Sequence, residues 1–206
     1  RPHVRAFNAF VPSTVRLTGN EVDWDLVETY VERAFRRAAA LGGKIIGFGS
    51  GAARSVPERF SRAMAWGQLV RFLNLCADHA ARNGLMVTIE PVHKGETNII
   101  TTYPEAVQMA RDVARDEVGI TADIFHFMMD GEPLDDIMTA PEYLTHVHLA
   151  DTGRRYPGSG AYPLERLFAI LREIGYTGAV SIECNWGEDL AGESTRALRF
   201  LRTLIG

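Results

Sequence analysis

Leu85-Met86-Val87-Thr88-Ile89-Glu90 is a short run of apolar and β-branched residues that ends on a carboxylate. Such a run reads as a strand, and one without polar alternation reads as buried on both faces, the mark of a parallel sheet. The same form recurs downstream in Ile120-Thr121-Ala122-Asp123, in His146-Val147-His148 and in Val180-Ser181-Ile182-Glu183. Each run ends on a residue that can bind metal or move a proton: Glu90, Asp123, His148 and Glu183. The carboxyl ends of parallel strands are where α/β folds place their chemistry. Three carboxylates and one imidazole converging there make a divalent-metal site, with donors that suit Mn²⁺, Mg²⁺ or Co²⁺ better than a structural zinc.

Outward from these runs the chain keeps a βα rhythm. Strands are expected near residues 4–11, 44–49, 85–90, 119–124, 145–150 and 179–184. Helical periodicity runs over residues 24–41, where Asp23 is a candidate cap and Gly42-Gly43 a stop. It returns over 57–83, closed by Gly84, over 103–115 with Pro104 in the first turn, and over 163–174 and 190–204. Residues 131–141 read as a short helix between loops. No linker or low-complexity segment interrupts the pattern, so a single domain over residues 1–206 is expected.

A doubly wound sheet and a barrel both satisfy this rhythm. Residues at the ends of four strands meet at one point in a closed barrel and largely do not in an open sheet. Gly47, Gly49 and Gly51 follow the second strand without the spacing of a dinucleotide-binding turn. The expected fold is therefore α/β, a TIM-type (β/α)8 barrel. A typical barrel uses about 250 residues, so the chain is expected to cover strands three to eight, with the first two βα units absent. It begins at Arg1 with no initiator methionine, which accords with an amino-terminally incomplete domain.

Composition narrows the function. The 206 residues are 46% hydrophobic and carry a formal net charge of −4, with 22 basic and 26 acidic residues and no basic run. Phosphate-backbone binding leaves a concentrated positive patch, so nucleic acid is not an expected partner. No apolar stretch has the length of a membrane span, and no signal-peptide pattern opens the chain. Cys76 and Cys184 lack metal-motif spacing, and a cytoplasmic protein is the expectation.

The local sequence resembles a known family. Glu90-Pro91-Val92-His93-Lys94-Gly95-Glu96-Thr97-Asn98, Asp123-Ile124-Phe125-His126, His146-Val147-His148-Leu149-Ala150-Asp151 with Arg154-Arg155-Tyr156-Pro157-Gly158, and Ser181-Ile182-Glu183 look like the xylose isomerase-like TIM barrels. Within these the chain is most similar to the sugar phosphate isomerase/epimerase branch, which includes ketose 3-epimerases. The resemblance implies that Glu90, Asp123, His148 and Glu183 hold one divalent ion, Mn²⁺ first, with Mg²⁺, Co²⁺ or Zn²⁺ as alternatives. It implies that Glu90 and Glu183 also act as acid and base on opposite faces of a sugar or sugar phosphate, and that Glu96, His126 and Arg154 bind its oxygens. His126, three residues past a strand end, is expected to lean over the cavity from a loop. His93 departs from the family's usual asparagine and Lys94 from its arginine, at the substrate's far end. A homo-oligomer is compatible with the family pattern.

Several residues also admit plainer roles. A strand-end Glu is by itself usually solvated, whereas four at corresponding positions point to a site. His146 shares a strand face with His148 and reads as a supporting residue. Trp186, three residues after Glu183, is a candidate for sugar stacking, more so than Trp66. Arg54 is a candidate for meeting a phosphate or a sugar hydroxyl. The leading expectation is a metal-dependent isomerase or epimerase of a ketose or related polyol. The alternatives are a lyase that eliminates from the same enolate and a non-catalytic sugar-binding module. The family's apurinic-site endonucleases use a histidine-richer zinc cluster, which six histidines and no basic patch do not supply.

Overall fold

The computed structural model describes residues 4–205. The fold divides into two compact units, one up to Ile120 and the other from Thr121 onward. Strand β4 (Val118–Asp123) begins in the first and ends in the second. None of the helices among the described residues is long and apolar enough to cross a membrane.

The first unit contains β1 (Ala6–Phe7), α1 (Trp24–Ala40), β2 (Ile45–Phe48), α2 (Gly51–Arg54), α3 (Arg62–Asn83), β3 (Met86–Ile89) and α4 (Tyr103–Val113). Its strands pair in parallel and in chain order, with Ile45 level with Ala6 and Met86, and Ile89 level with Phe48 and Ile120. β2 is buried along its whole length, as a parallel strand covered on both faces must be. Asp23 caps α1 by accepting the Leu26 N–H at 3.0 Å, and Val27, Val31, Phe35 and Ala38 form its buried stripe. Phe10 meets Phe35 edge-on at 5.7 Å and Phe72 of α3 at 6.0 Å, and Phe72 reaches Phe48 of β2 at 4.9 Å. Each such ring contributes about 2 kcal/mol by leaving water, and together they seat α1 and α3 on the sheet.

Some boundaries differ from the sequence reading. The first strand is only Ala6–Phe7, because Ala9 takes a left-handed backbone (φ 52°) that no strand continues through. The helix expected from residue 57 starts at Arg62, where the Ser61 hydroxyl accepts the Met64 N–H; Pro57 to Phe60 form a turn instead, with Arg59 at φ 63°.

Arg54 does not serve the role expected of it. It is 0% exposed and donates to the carbonyls of Phe48 at 2.8 Å, Glu90 at 2.8 Å and Ile100 at 3.0 Å. Its guanidinium is consumed in tying the ends of β2 and β3 to the loop before α4. Burial pushes it down to about 10, against the opposing pull of Glu90, Glu105 and Glu96. Arg54→Met is expected to destabilise the fold by about 3 kcal/mol, since charged hydrogen bonds are lost and buried carbonyls are left unmet. That corresponds to a fall in Tm of about 6–12 °C for a chain of this size. A thermal melt within 2 °C or so of wild type would remove this structural role.

The second unit holds the end of β4, α5 (Ile124–Asp130), β5 (Leu144–Leu149), α6 (Leu164–Glu173), β6 (Ala179–Ile182) and α7 (Leu190–Ile205). The helix expected within residues 131–141 is a 3₁₀ helix, Leu134–Thr139. β5 and β6 are parallel, with His146 level with Ala179 and His148 level with Ser181. Val147 and Leu149, on the opposite face from the two histidines, are completely buried.

Candidate functional site

The register of β5 and β6 fixes the first two site residues. Side chains level with one another in parallel strands share a face, and residues two apart return to it. His148 lies level with Ser181, so Glu183, one step beyond the end of β6, emerges on the same face. His148 Nδ1 lies 2.7 Å from Glu183 Oε2 and 4.0 Å from Asp123 Oδ2.

Asp123 does two things at once. One carboxylate oxygen, Oδ1, accepts the Phe125 N–H at 2.9 Å and so caps helix α5. The other, Oδ2, faces His126 Nε2 at 3.6 Å, Arg154 at 3.9 Å and His148 at 4.0 Å, with the side chain 0% exposed. His126 therefore stands in the first turn of a helix, not on the loop that the sequence suggested. The segment Ile124-Phe125-His126-Phe127 continues the apolar run of β4, which hides the turn of structure at Asp123. The local signals are the Asp cap and Gly131, which closes α5 at φ 67°, an N-cap and C-cap pair.

Arg154 completes this cluster. Its guanidinium donates to Glu183 Oε1 at 3.0 Å and sits 4.5 Å above the Phe125 ring. The Glu183 carboxylate is thus gripped at both oxygens. Burial alone raises its pKa, but the hydrogen bond from His148 and the charges of His148, Arg154 and His126 outweigh burial and hold it below the usual carboxylate range. His146 is 1% exposed and packs edge-on against His148 at 4.9 Å. Burial, reinforced by His148 and opposed by Glu183, pushes its imidazole down to about 4, so it is neutral near pH 7.

The loop that carries Arg154 is organised by Asp151, a residue to which sequence reasoning gave no role. Buried Asp151 accepts the N–H groups of Thr152 at 2.8 Å, Gly158 at 2.9 Å and Tyr162 at 2.9 Å. A two-way backbone bridge joins it to Arg155 at 2.8 and 3.2 Å. The Gly153–Arg154 turn inside that bridge is left-handed, with φ of 69° and 56°. An Asp opening a Gly/Pro-rich segment was the available signal.

Glu90, His93 and Glu96 belong to the first unit. Glu90 follows β3 directly, is 5% exposed and donates its N–H to the Phe48 carbonyl at 3.2 Å. A Cβ at Gly49 would lie 2.1 Å from Glu90 Oε2, so glycine there makes room for the carboxylate. His93 Nδ1 accepts the Gly95 N–H at 3.1 Å, and its Nε2 faces Glu96 at 3.3 Å. Glu96 itself is exposed. Trp186 is half-buried in the loop after β6, whereas Trp66 donates to Asp112 at 2.7 Å from the face of α3. An apolar groove of about 510 Å³ in the second unit, lined by Phe168, Val180, Ile182 and Leu201 among others, contains no carboxylate or imidazole.

One atom from each of Asp123, His148 and Glu183 lies within 4.8 Å of the others. A single ion with ligands at about 2.0–2.3 Å spans such a gap. The donors, two carboxylates and an imidazole, fit a divalent cation.

Comparison with known proteins agrees with this fold. The model of the xylose isomerase-like TIM barrel family matches residues 14–204. The D-psicose 3-epimerase of Agrobacterium fabrum is 35% identical over 115 residues, which are 55% of this chain and 40% of that protein. The crystal structure of a D-psicose 3-epimerase in the presence of D-fructose superimposes with a TM-score of 0.86 at 26% identity, covering 98% of this chain and 79% of that one. That of a 3-keto-D-glucoside 4-epimerase from E. coli gives 0.76 at 27% identity, covering 85% and 70%. The chain spans about half the length of the curated relatives it matches. Strands following one another in chain order, with Asp123, His148 and Glu183 at or near the carboxyl ends of β4, β5 and β6, have the topology of these barrels, and the chain belongs to the xylose isomerase-like TIM barrel family.

Proposed function

We propose that this chain carries the active site of a divalent-metal-dependent sugar epimerase or isomerase acting on a ketose. The observation that supports this reading best is the grip on Glu183, whose two carboxylate oxygens face His148 Nδ1 at 2.7 Å and Arg154 at 3.0 Å. A carboxylate so oriented and kept anionic can take a proton from a carbon placed before it. Asp123, His148 and Glu183 would hold the ion, and Glu90, which follows β3 as Glu183 follows β6, is proposed as the fourth ligand on the strength of the family resemblance. When bound, the ion supplies Lewis-acid polarisation of the substrate's carbonyl and hydroxyl oxygens. The donor set favours Mn²⁺, with Mg²⁺ or Co²⁺ as substitutes.

The chain's own residues then divide the work. One of Glu90 and Glu183 removes the proton from the carbon beside the carbonyl, and the other returns a proton from the opposite face. Arg154 and His126 donate hydrogen bonds to the oxygens that gain charge as the enediolate forms. Glu96, oriented by His93, and Trp186 are proposed as further substrate contacts, and the unbridged Cys76 and Cys184 suit a cytoplasmic setting.

The test is solvent-deuterium incorporation, with Mn²⁺ present, into a panel of ketoses, ketose phosphates, inososes and oxidised glycosides. Label is expected at the carbon beside the carbonyl, with the carbon skeleton kept. Loss of water or release of an aglycone would move the assignment to a lyase. Absence of both metal binding and exchange would sink the enzymatic reading.

A further inference from the structure

Glu193 is a carboxylate in the first turn of α7, 5% exposed, which neither the metal cluster nor the substrate contacts use. Burying a carboxylate is costly unless its oxygens find donors. Here each oxygen has one. Oε2 accepts the Gly187 N–H at 2.7 Å, and Oε1 accepts from Arg155 at 3.2 Å. The helix amino terminus adds a favourable field for the negative charge. A Cβ at residue 187 would stand 2.6 Å from Glu193 Oε1, so glycine there permits the close approach.

The two donors come from the two loops that carry site residues. Gly187 belongs to the loop that starts at Glu183, and Arg155 adjoins Arg154. A second tie joins the same loops, from the Asn185 N–H to the Arg154 carbonyl at 2.7 Å. That carbonyl belongs to a residue with φ 56°, a left-handed conformation that a non-glycine residue holds only when its surroundings impose it. Glu193 and the Asn185–Arg154 bond therefore clamp the two loops at two points close in sequence to the Arg154–Glu183 contact.

We infer that Glu193 is a positioning residue, which locks the loops after β5 and β6 together so that Arg154 and Glu183 keep their working geometry. This inference rests on the epimerase reading for its catalytic consequence, though not for the clamp itself. The Arg155–Glu193 ion pair contributes little stability, because the Arg155 side chain is 52% exposed and such pairs are weak. The clamp therefore works through geometry: the Gly187 bond holds the loop after β6 on Glu193, and Arg155 together with the Asn185–Arg154 bond joins it to the loop after β5.

The test compares Glu193→Ala with Glu193→Gln in the full chain. An amide oxygen still accepts from Gly187, so Gln is the rescuing variant. In Glu193→Ala, hydrogen exchange at the Gly187 and Asn185 amides is expected to speed up at least about tenfold. The kcat for the ketose that wild type turns over is expected to fall about tenfold, with KM changed less than about threefold, because the loss falls on transition-state geometry. Glu193→Gln is expected to restore both to within about threefold of wild type. Unchanged exchange at Gly187 and Asn185 in the Ala variant would overturn the clamp. Faster exchange with an unchanged kcat would overturn its role in positioning. If wild type turns over no ketose, the proposed function fails on its own account, and the exchange rates still decide the clamp.

Discussion

Glu183→Gln is expected to lower kcat by about a thousandfold or more while the fold survives. Removing a positioned acid or base costs about 10²–10⁴-fold, and Glu183 is proposed as a metal ligand as well, which places the loss toward the upper end. The replacement is nearly isosteric, and the side chain is 32% exposed, so little packing is disturbed. Its ion pair with Arg154 is partly solvated, and losing it costs under about 1 kcal/mol. The amide cannot serve both neighbours as the carboxylate does. One of its ends becomes a donor, so it either faces the Arg154 guanidinium with the wrong polarity or requires His148 to move its proton from Nδ1 to Nε2. The measurement is kcat and Tm on the same preparation. Activity within tenfold of wild type would take Glu183 out of the proton-transfer chemistry, and a collapsed Tm would mean that the pair is chiefly structural.

The parts of this fold that were legible from sequence are those where burial leaves a continuous mark. β2 and β4 are buried along their whole lengths, and such strands stand out as unbroken apolar runs. α1 and α4 carry caps whose chemistry is local, Asp23 and Thr102 each accepting an N–H three residues on. Helix α5 was not legible, because its seven residues, Ile124-Phe125-His126-Phe127-Met128-Met129-Asp130, are too few to display a period and too apolar to break from the strand before them. Arg54 misled for a related reason. An arginine after a strand in a glycine-rich turn invites a ligand, and only the three-dimensional course of the loop before α4 places three carbonyls around it. The residues that orient others, Asp151 and Glu193, were the least visible. Their partners are backbone N–H groups up to eleven residues away, and backbone donors have no sequence signature.

Asp123→Asn separates the two duties that this residue combines, and the outcome should be lopsided. Asparagine caps helices about as well as aspartate, so its side-chain oxygen can go on accepting the Phe125 N–H now held at 2.9 Å. The Tm of the metal-free protein is therefore expected to stay within a few degrees of wild type. Metal binding is another matter. The substitution removes one negative charge at a position with no exposure, 4.0 Å from His148 Nδ1, where water cannot screen the loss. Residues that merely support a metal ligand contribute about 10–100-fold to affinity, and a ligand carboxylate should exceed that, on the order of a thousandfold for Mn²⁺. The contrast has a thermal counterpart. Mn²⁺ at 100 times its Kd should stabilise wild type by about 2.7 kcal/mol and leave the Asn variant almost unmoved. Asp123→Ala supplies the control, since it also loses the cap and should unfold about 1 kcal/mol more easily even without metal. Titration calorimetry with Mn²⁺ beside thermal melts of the three proteins decides the point. Equal Mn²⁺ affinity in wild type and Asp123→Asn would leave Asp123 a helix cap and nothing more, and would take the proposed metal centre with it.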